Sequence, residues 1–198
     1  MSKAIEDYGL DYAQLHGAEG LDFCWEVKSL GVGIIKAISV KDDLPIDQMT
    51  EYEKVVDCFL FDTSGARHGG NGVKFDWNIL KKYTLSIPFF LSGGISPGDE
   101  SILKALDMEQ LIGYDINSRF ESSPGVKKPN AVKEFIDSIM IQTSNREQTQ
   151  KRFEIWKEAL RNIVGYMGHR EPNIKKNKLI CSKVTVFFSK LHWITCIF

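Results

Sequence analysis

Residues 58–77 read Cys-Phe-Leu-Phe-Asp-Thr-Ser-Gly-Ala-Arg-His-Gly-Gly-Asn-Gly-Val-Lys-Phe-Asp-Trp. Phe59-Leu60-Phe61 is an apolar run without alternation, the pattern of a strand buried on both faces. Asp62 follows where that strand emerges. A loop holding Gly65, Gly69, Gly70 and Gly72 comes next, and Asp76-Trp77 opens a helix. An acidic residue at the carboxyl end of a buried parallel strand is where α/β proteins place chemistry. Glycines such as Gly70 and Gly72 let a backbone approach an anion or a sugar closely. An ordinary capping aspartate and a flexible loop would look the same in isolation, so the surrounding chain has to decide.

Upstream, Ala4, Ile5 and Tyr8 are spaced as the end of a helix that Gly9 stops. Tyr12–His16 reads as a strand closed by Gly17. Leu21–Leu30 reads as a helix with Leu21, Trp25 and Lys28 a turn apart, ended by Gly31 and Gly33. Gly33–Ile38 is a second strand, and a helix is expected between Asp42 and Lys54. Downstream, Trp77–Lys82 is a short helix and Pro88–Ser92 a fourth strand, followed by Gly93-Gly94. Ser96-Pro97 opens a helix with proline in its first turn, and Ile102, Leu103 and Leu106 form its apolar face. Leu111–Asp115 is a fifth strand, followed by a polar loop over 117–125. Pro129-Asn130 begins a helix running to about Met140.

The strand starts near 12, 33, 58, 88 and 111 recur every 21 to 30 residues, the cadence of βα units and a parallel sheet. The chemistry-bearing residues follow the strands: His16, Lys36, Asp62, Ser92-Gly93-Gly94, and Asp115 with Asn117-Ser118. The loops at the other end are plain. In a (β/α)₈ barrel the chemistry sits on that C-terminal face, and phosphate binds at the loops after the last two strands. Here those loops are Ser92-Gly93-Gly94, whose turn is read as leading into a helix N-terminus, and Asn117-Ser118.

The chain has 198 residues, 43% hydrophobic and 26% charged, with a net charge of −1. That bounds it to one soluble domain, with or without an appendage. The charge balance gives no case for nucleic acid or an anionic membrane surface, and no uncharged apolar run reaches the length of a membrane span. The cysteines at 24, 58, 181 and 196 include no C-x-x-C pair, so neither zinc nor a redox dithiol is suggested. Their apolar contexts suit buried free thiols in a cytoplasmic protein.

Residues 141–198 change character. Phe153, Trp156, Leu160, Ile163 and Val164 fall at helical spacing within an amphipathic helix over about 147–164. Gly165–Lys178 is basic and loop-like, and 179–198 is strand-like and apolar. This reads as an extension of unknown role attached to a domain over 1–140.

Five motifs in order resemble phosphoribosylanthranilate isomerase of tryptophan biosynthesis. They are Gln14-Leu15-His16-Gly17; Phe61-Asp62-Thr63 with Gly69-Gly70-Asn71-Gly72 and Phe75-Asp76-Trp77; Leu91-Ser92-Gly93-Gly94-Ile95; Asp115-Ile116-Asn117-Ser118; and Glu121-Ser122-Ser123-Pro124-Gly125-Val126-Lys127. The resemblance covers roughly residues 1–140 and implies a small (β/α)₈ barrel that needs no cofactor. It implies an Amadori rearrangement of N-(5-phosphoribosyl)anthranilate to 1-(2-carboxyphenylamino)-1-deoxyribulose 5-phosphate. An acid protonates the ribose ring oxygen, the ring opens, a base removes the C2 proton, and an enolamine becomes a ketone. Asp62 maps onto the acid. Ser92, Gly93, Gly94, Asn117 and Ser118 map onto the phosphate loops. Asp115, His16, Gly70 and Gly72 map onto residues around the substrate.

The family's base is a cysteine in a Lys-Ile-Cys-Gly segment on its first strand, and no such segment is present. Cys24 lies in a helix. Cys58 lies at the opposite end of its strand from Asp62, roughly 13 Å away at ~3.3 Å per residue. The expectation is therefore an N-terminally truncated member: a partial barrel corresponding to strands 4–8, inactive alone. The alternative is a non-catalytic partial barrel that binds a phosphorylated ligand or a partner chain. Two strand edges, at Tyr12–His16 and Leu111–Asp115, should stand open and invite self-association or a complementing chain.

Overall fold

The computed structural model describes residues 2–8, 10–63, 74–141 and 184–187. The elements run α1 (Ser2–Tyr8), β1 (Tyr12–Leu15), α2 (Leu21–Lys28), β2 (Gly33–Val40), α3 (Ile46–Tyr52), β3 (Cys58–Thr63), a 3₁₀ helix (Trp77–Lys82), β4 (Phe89–Leu91), α4 (Glu100–Ala105), β5 (Leu111–Ile116), a 3₁₀ turn (Ser118–Phe120), β6 (Glu121–Ser123), β7 (Val126–Lys127), α5 (Pro129–Ile141) and β8 (Val184–Phe187). Strands β1 to β5 are parallel and lie side by side in chain order, and β8 adds antiparallel to β5. The five expected strands are all present. The alternation of strand and helix forces this arrangement, since parallel neighbours need a crossover between them.

Strand parity sorts the core into two faces. Phe59 and Phe61 of β3, Phe89 and Leu91 of β4, and Ile34 and Ile38 of β2 belong to the large cluster shared with the helices. Cys58, Leu60, Ala37, Phe90 and Ile112 form a smaller cluster on the other face. Both faces of β3 are therefore apolar, which is why its sequence does not alternate. The aromatic rings of Phe61, Tyr83 and Phe89 meet edge to face at 4.8–5.5 Å and fix the packing beneath the third and fourth strands.

Several expectations need correction. Trp25 is half exposed, while Cys24 and Val27 carry the buried side of α2. Ile102 is 58% exposed and does not join Leu103 and Leu106 in the core. Ser96-Pro97 precedes α4 rather than opening it; the buried Asp99 folds this turn by accepting from Ser96 N–H and Oγ at 2.7 and 2.9 Å. The polar loop after β5 contains the β6–β7 hairpin. The edge expected open at Leu111–Asp115 is paired, with Gly113 opposite Phe187 and Ile116 opposite Val184. The edge at β1 pairs only with β2 among the described residues. Gly9, the helix expected over 147–164 and most of the apolar end over 179–198 lie outside the described residues.

Lys36 lies within β2 and is not at its exposed end, with the parity of Ile34 and Ile38, and it is 3% exposed. Its ammonium donates to the Gly17 carbonyl at 2.6 Å and to Glu19 Oε2 at 2.9 Å. Glu19 also accepts from Gly17 N–H, and its carbonyl accepts from the Tyr52 hydroxyl. Burial pushes the Glu19 carboxyl up, but the Lys36 hydrogen bond and charge, together with the backbone N–H groups of Glu19 and Gly17, outweigh it and leave the group below its ordinary value. A lowered carboxylate stabilises the fold above its unfolded pKa and loses that contribution as pH falls through the folded one. Lys36→Met should therefore lower the urea midpoint at pH 7, and its deficit against wild type should shrink below about pH 4. A deficit constant from pH 3 to 8 would show that the ion pair contributes nothing.

Candidate functional site

The carboxyl ends of β1, β3, β4 and β5 bring four polar residues to one face of the sheet. In β3, Asp62 has the parity of Leu60 and Cys58, on the face of the smaller cluster. It pairs in register with Ser39 of β2. Ser92 continues the parity of Phe90, and Asp115 that of Gly113, which is opposite Phe90. His16 follows β1 directly, and its Nε2 stands 3.4 Å from Asp62 Oδ2. Gln14 donates to His16 Nδ1 at 2.8 Å, which leaves Nε2 as the protonated nitrogen of the neutral ring, aimed at the carboxylate. Asp62 Oδ1 accepts from Thr63 N–H at 2.8 Å. The Asp62 side chain is 13% exposed, so it is shielded yet reachable.

The turn after β4 lies against this carboxylate. Gly93 and Gly94 have φ of 89° and 70°, a region costly for any residue with a Cβ. A Cβ on Gly93 would lie 2.2 Å from Thr63 Oγ1, 2.7 Å from Thr63 N and 3.1 Å from Asp62 Oδ1. Only glycine lets the two strand ends come this close. Gly93→Ala should cost roughly 2–4 kcal/mol from backbone strain and overlap together, read as a lowered thermal midpoint. An unchanged midpoint would mean that the turn is free to move off β3.

Ser92 N–H is committed to the Phe61 carbonyl at 2.7 Å, so the one donor Ser92 can offer a ligand is its hydroxyl. Five residues separate Gly94 from α4, so the expected helix N-terminus does not lie directly behind this turn. Asp115 is 3% exposed at the end of β5. Asn117 opens the following 3₁₀ turn, its carbonyl accepting from Phe120 N–H at 2.9 Å, and Ser118 is exposed. Gly70 and Gly72, with Arg67 and His68, lie outside the described residues.

Two residues near the site were not singled out as candidates. Lys74 donates to Asp99 Oδ1 at 2.6 Å and to Ser96 Oγ at 3.1 Å, tying the chain after the β3 loop to the turn after β4. Lys127 donates to Asn117 Oδ1 at 2.6 Å. The sequence signal for Lys127 was its place in the last motif; its partner ten residues upstream was not readable.

Cys24 and Cys58 are both buried and free. Burial pushes the Cys24 thiol up, and the Cys58 thiol well up. Thiol base chemistry needs the thiolate, and Cys58 begins β3 while Asp62 is near its end. Among the described residues, no group of three or more His, Cys, Asp and Glu could hold a metal ion, and no helix is long and apolar enough to cross a membrane.

A model of the N-(5'-phosphoribosyl)anthranilate isomerase family matches residues 1–138. The N-(5'-phosphoribosyl)anthranilate isomerase of Phocaeicola vulgatus is 42% identical over 134 residues, covering 68% of this chain and 65% of that protein. The chain thus spans just under two thirds of the length of the curated relatives it matches. Among solved structures, the phosphoribosylanthranilate isomerase of Thermotoga maritima superposes with a TM-score of 0.55 at 27% identity, over 70% of this chain and 67% of that one. Another isomerase was solved in complex with reduced 1-(o-carboxyphenylamino)-1-deoxyribulose 5-phosphate. It gives a TM-score of 0.53 at 23% identity, over 70% of this chain and 66% of that one.

Proposed function

This chain belongs to the N-(5'-phosphoribosyl)anthranilate isomerase family, and from that membership we propose that residues 1–140 are a partial (β/α)₈ barrel carrying the acid and phosphate-binding parts of the isomerase site. Residues 141–198 are then an extension. The observation that carries this reading is Asp62, held by His16 and Thr63 at a strand end with the Gly93 turn packed against it. On this reading Asp62 gives its proton to the ribose ring oxygen as the C–O bond opens. The backbone N–H groups of Gly93 and Gly94 and the donors of Asn117 and Ser118 hold the phosphate. Asp115 orders the last loop, and Gly70 and Gly72 border the substrate.

The C2 proton needs a base, and neither described cysteine can serve. We therefore assign that role to strands outside these 198 residues, and turnover by this chain alone is not expected. The test is the change in anthranilate fluorescence on turnover, measured with and without a fragment spanning a relative's first three strands. Turnover only with the fragment supports the reading. Turnover by the chain unaided would overturn the assignment of the base. A second reading keeps ligand binding without turnover, and the edge of β1, paired only with β2 among the described residues, favours a partner chain on that side.

A further inference from the structure

We propose that Lys127 is a positioning residue that fixes the side-chain amide of Asn117 as a phosphate donor; this rests on the phosphate reading above. A lysine ammonium has three donors and no acceptor. Its 2.6 Å contact must therefore be to the amide oxygen of Asn117, and the Asn117 NH₂ is turned away from it. Without Lys127 the amide is free to flip and present its oxygen, which would repel an anion. Leu91 lies opposite Tyr114, so Gly94 and Asn117, each three residues further on, follow the same ends of neighbouring strands. The NH₂ thus serves the same end of the sheet as the glycine turn.

Lys127 is itself held. Its ammonium is paired with Glu121 Oε1, and the two side chains are 13% and 10% exposed. Glu121 Oε2 accepts from Gly125 N–H at 3.3 Å, closing the β6–β7 turn. Phe120, fully buried and 5.1 Å from the Phe135 ring, anchors the hairpin to α5. Lys128 N–H donates to the Phe120 carbonyl at 2.8 Å. The hairpin is tied by these contacts, and Lys127 links it to one amide. The pair with Glu121 neutralises the lysine, so its part is orientation and not attraction of the anion.

The experiment is a titration of the ¹⁵N-labelled full chain with inorganic phosphate. The Asn117 NH₂ signals should move as phosphate binds. Asn117→Ala should bind about tenfold to a hundredfold more weakly, the range of one hydrogen bond to a charged group. Lys127→Arg keeps a donor-only cation and should stay within about threefold of wild type. The double variant Lys127→Gln, Glu121→Gln keeps the net charge but offers Asn117 an acceptor as well as donors, and it should weaken binding as Asn117→Ala does. Circular dichroism checks that each variant is folded, and Asn117→Ala, which leaves the Lys127–Glu121 pair intact, stands if the double variant is not. Phosphate binding by wild type with Asn117→Ala unaffected, with the NH₂ signals unmoved, or with a folded double variant binding as wild type does, overturns this proposal alone. No phosphate binding by wild type overturns the phosphate reading on which it depends.

Discussion

Asp62→Asn should remove the turnover that complementation restores, by about 10²–10⁴-fold, the usual contribution of a positioned acid. Asparagine has nearly the same shape. Its oxygen can still accept from Thr63 N–H, which turns its NH₂ toward the His16 Nε2–H, a donor-to-donor mismatch that the partly exposed 3.4 Å contact can relax. What it lacks is a proton to give. The loss should therefore fall on kcat, with KM little changed, because phosphate and anthranilate are held elsewhere. Thermal stability should hold within about 1 kcal/mol, since the His16 contact is a partly exposed pair at 3.4 Å. Complemented turnover surviving in Asp62→Asn would remove Asp62 from the chemistry. A fall in the thermal midpoint of many degrees would make it a structural residue instead.

The fold was legible where single residues decide it. Phe59-Leu60-Phe61 and Phe89-Phe90-Leu91 are buried on both faces, so no register ambiguity could hide them, and regular spacing supplied the rest. The short helices were legible as elements but not as faces. α2 has eight residues and α4 six, too few turns for a periodicity to show that Trp25 and Ile102 point outward. The site was legible at Asp62, His16 and the glycine turn because each follows a strand directly. For Lys36, parity within β2 decides which face it takes, and its burial there could not be read from the strand alone. Its partner Glu19 lies on another element, as Asn117 lies away from Lys127. Contacts made across strands by long side chains leave no periodic trace. The pairing of β8 with β5 depends on a segment outside the βα cadence altogether.

Replacing both Thr185 and Val186 by proline should expose the edge of β5 and increase self-association of the full chain. In an antiparallel ladder consecutive N–H groups point to opposite sides. One of the two prolines must therefore remove a donor aimed at β5, whichever residue supplies it, and proline in a paired strand is not tolerated. The residues freed are Gly113, Tyr114, Asp115 and Ile116, the part of β5 that leads into Asn117. One lost ladder bond costs about 0.5–1.5 kcal/mol, which is modest. The larger effect is on association: a bare, apolar strand edge is a template for another chain. Sedimentation velocity at rising concentration should show a larger average mass for the double proline variant than for wild type. A chain ending at Ile141 should behave as the variant does. If that shorter chain unfolds cooperatively and stays monomeric, β8 does not protect β5. The same edge is the one that a complementing first strand would need, so the double proline variant should also accept the fragment more readily than wild type.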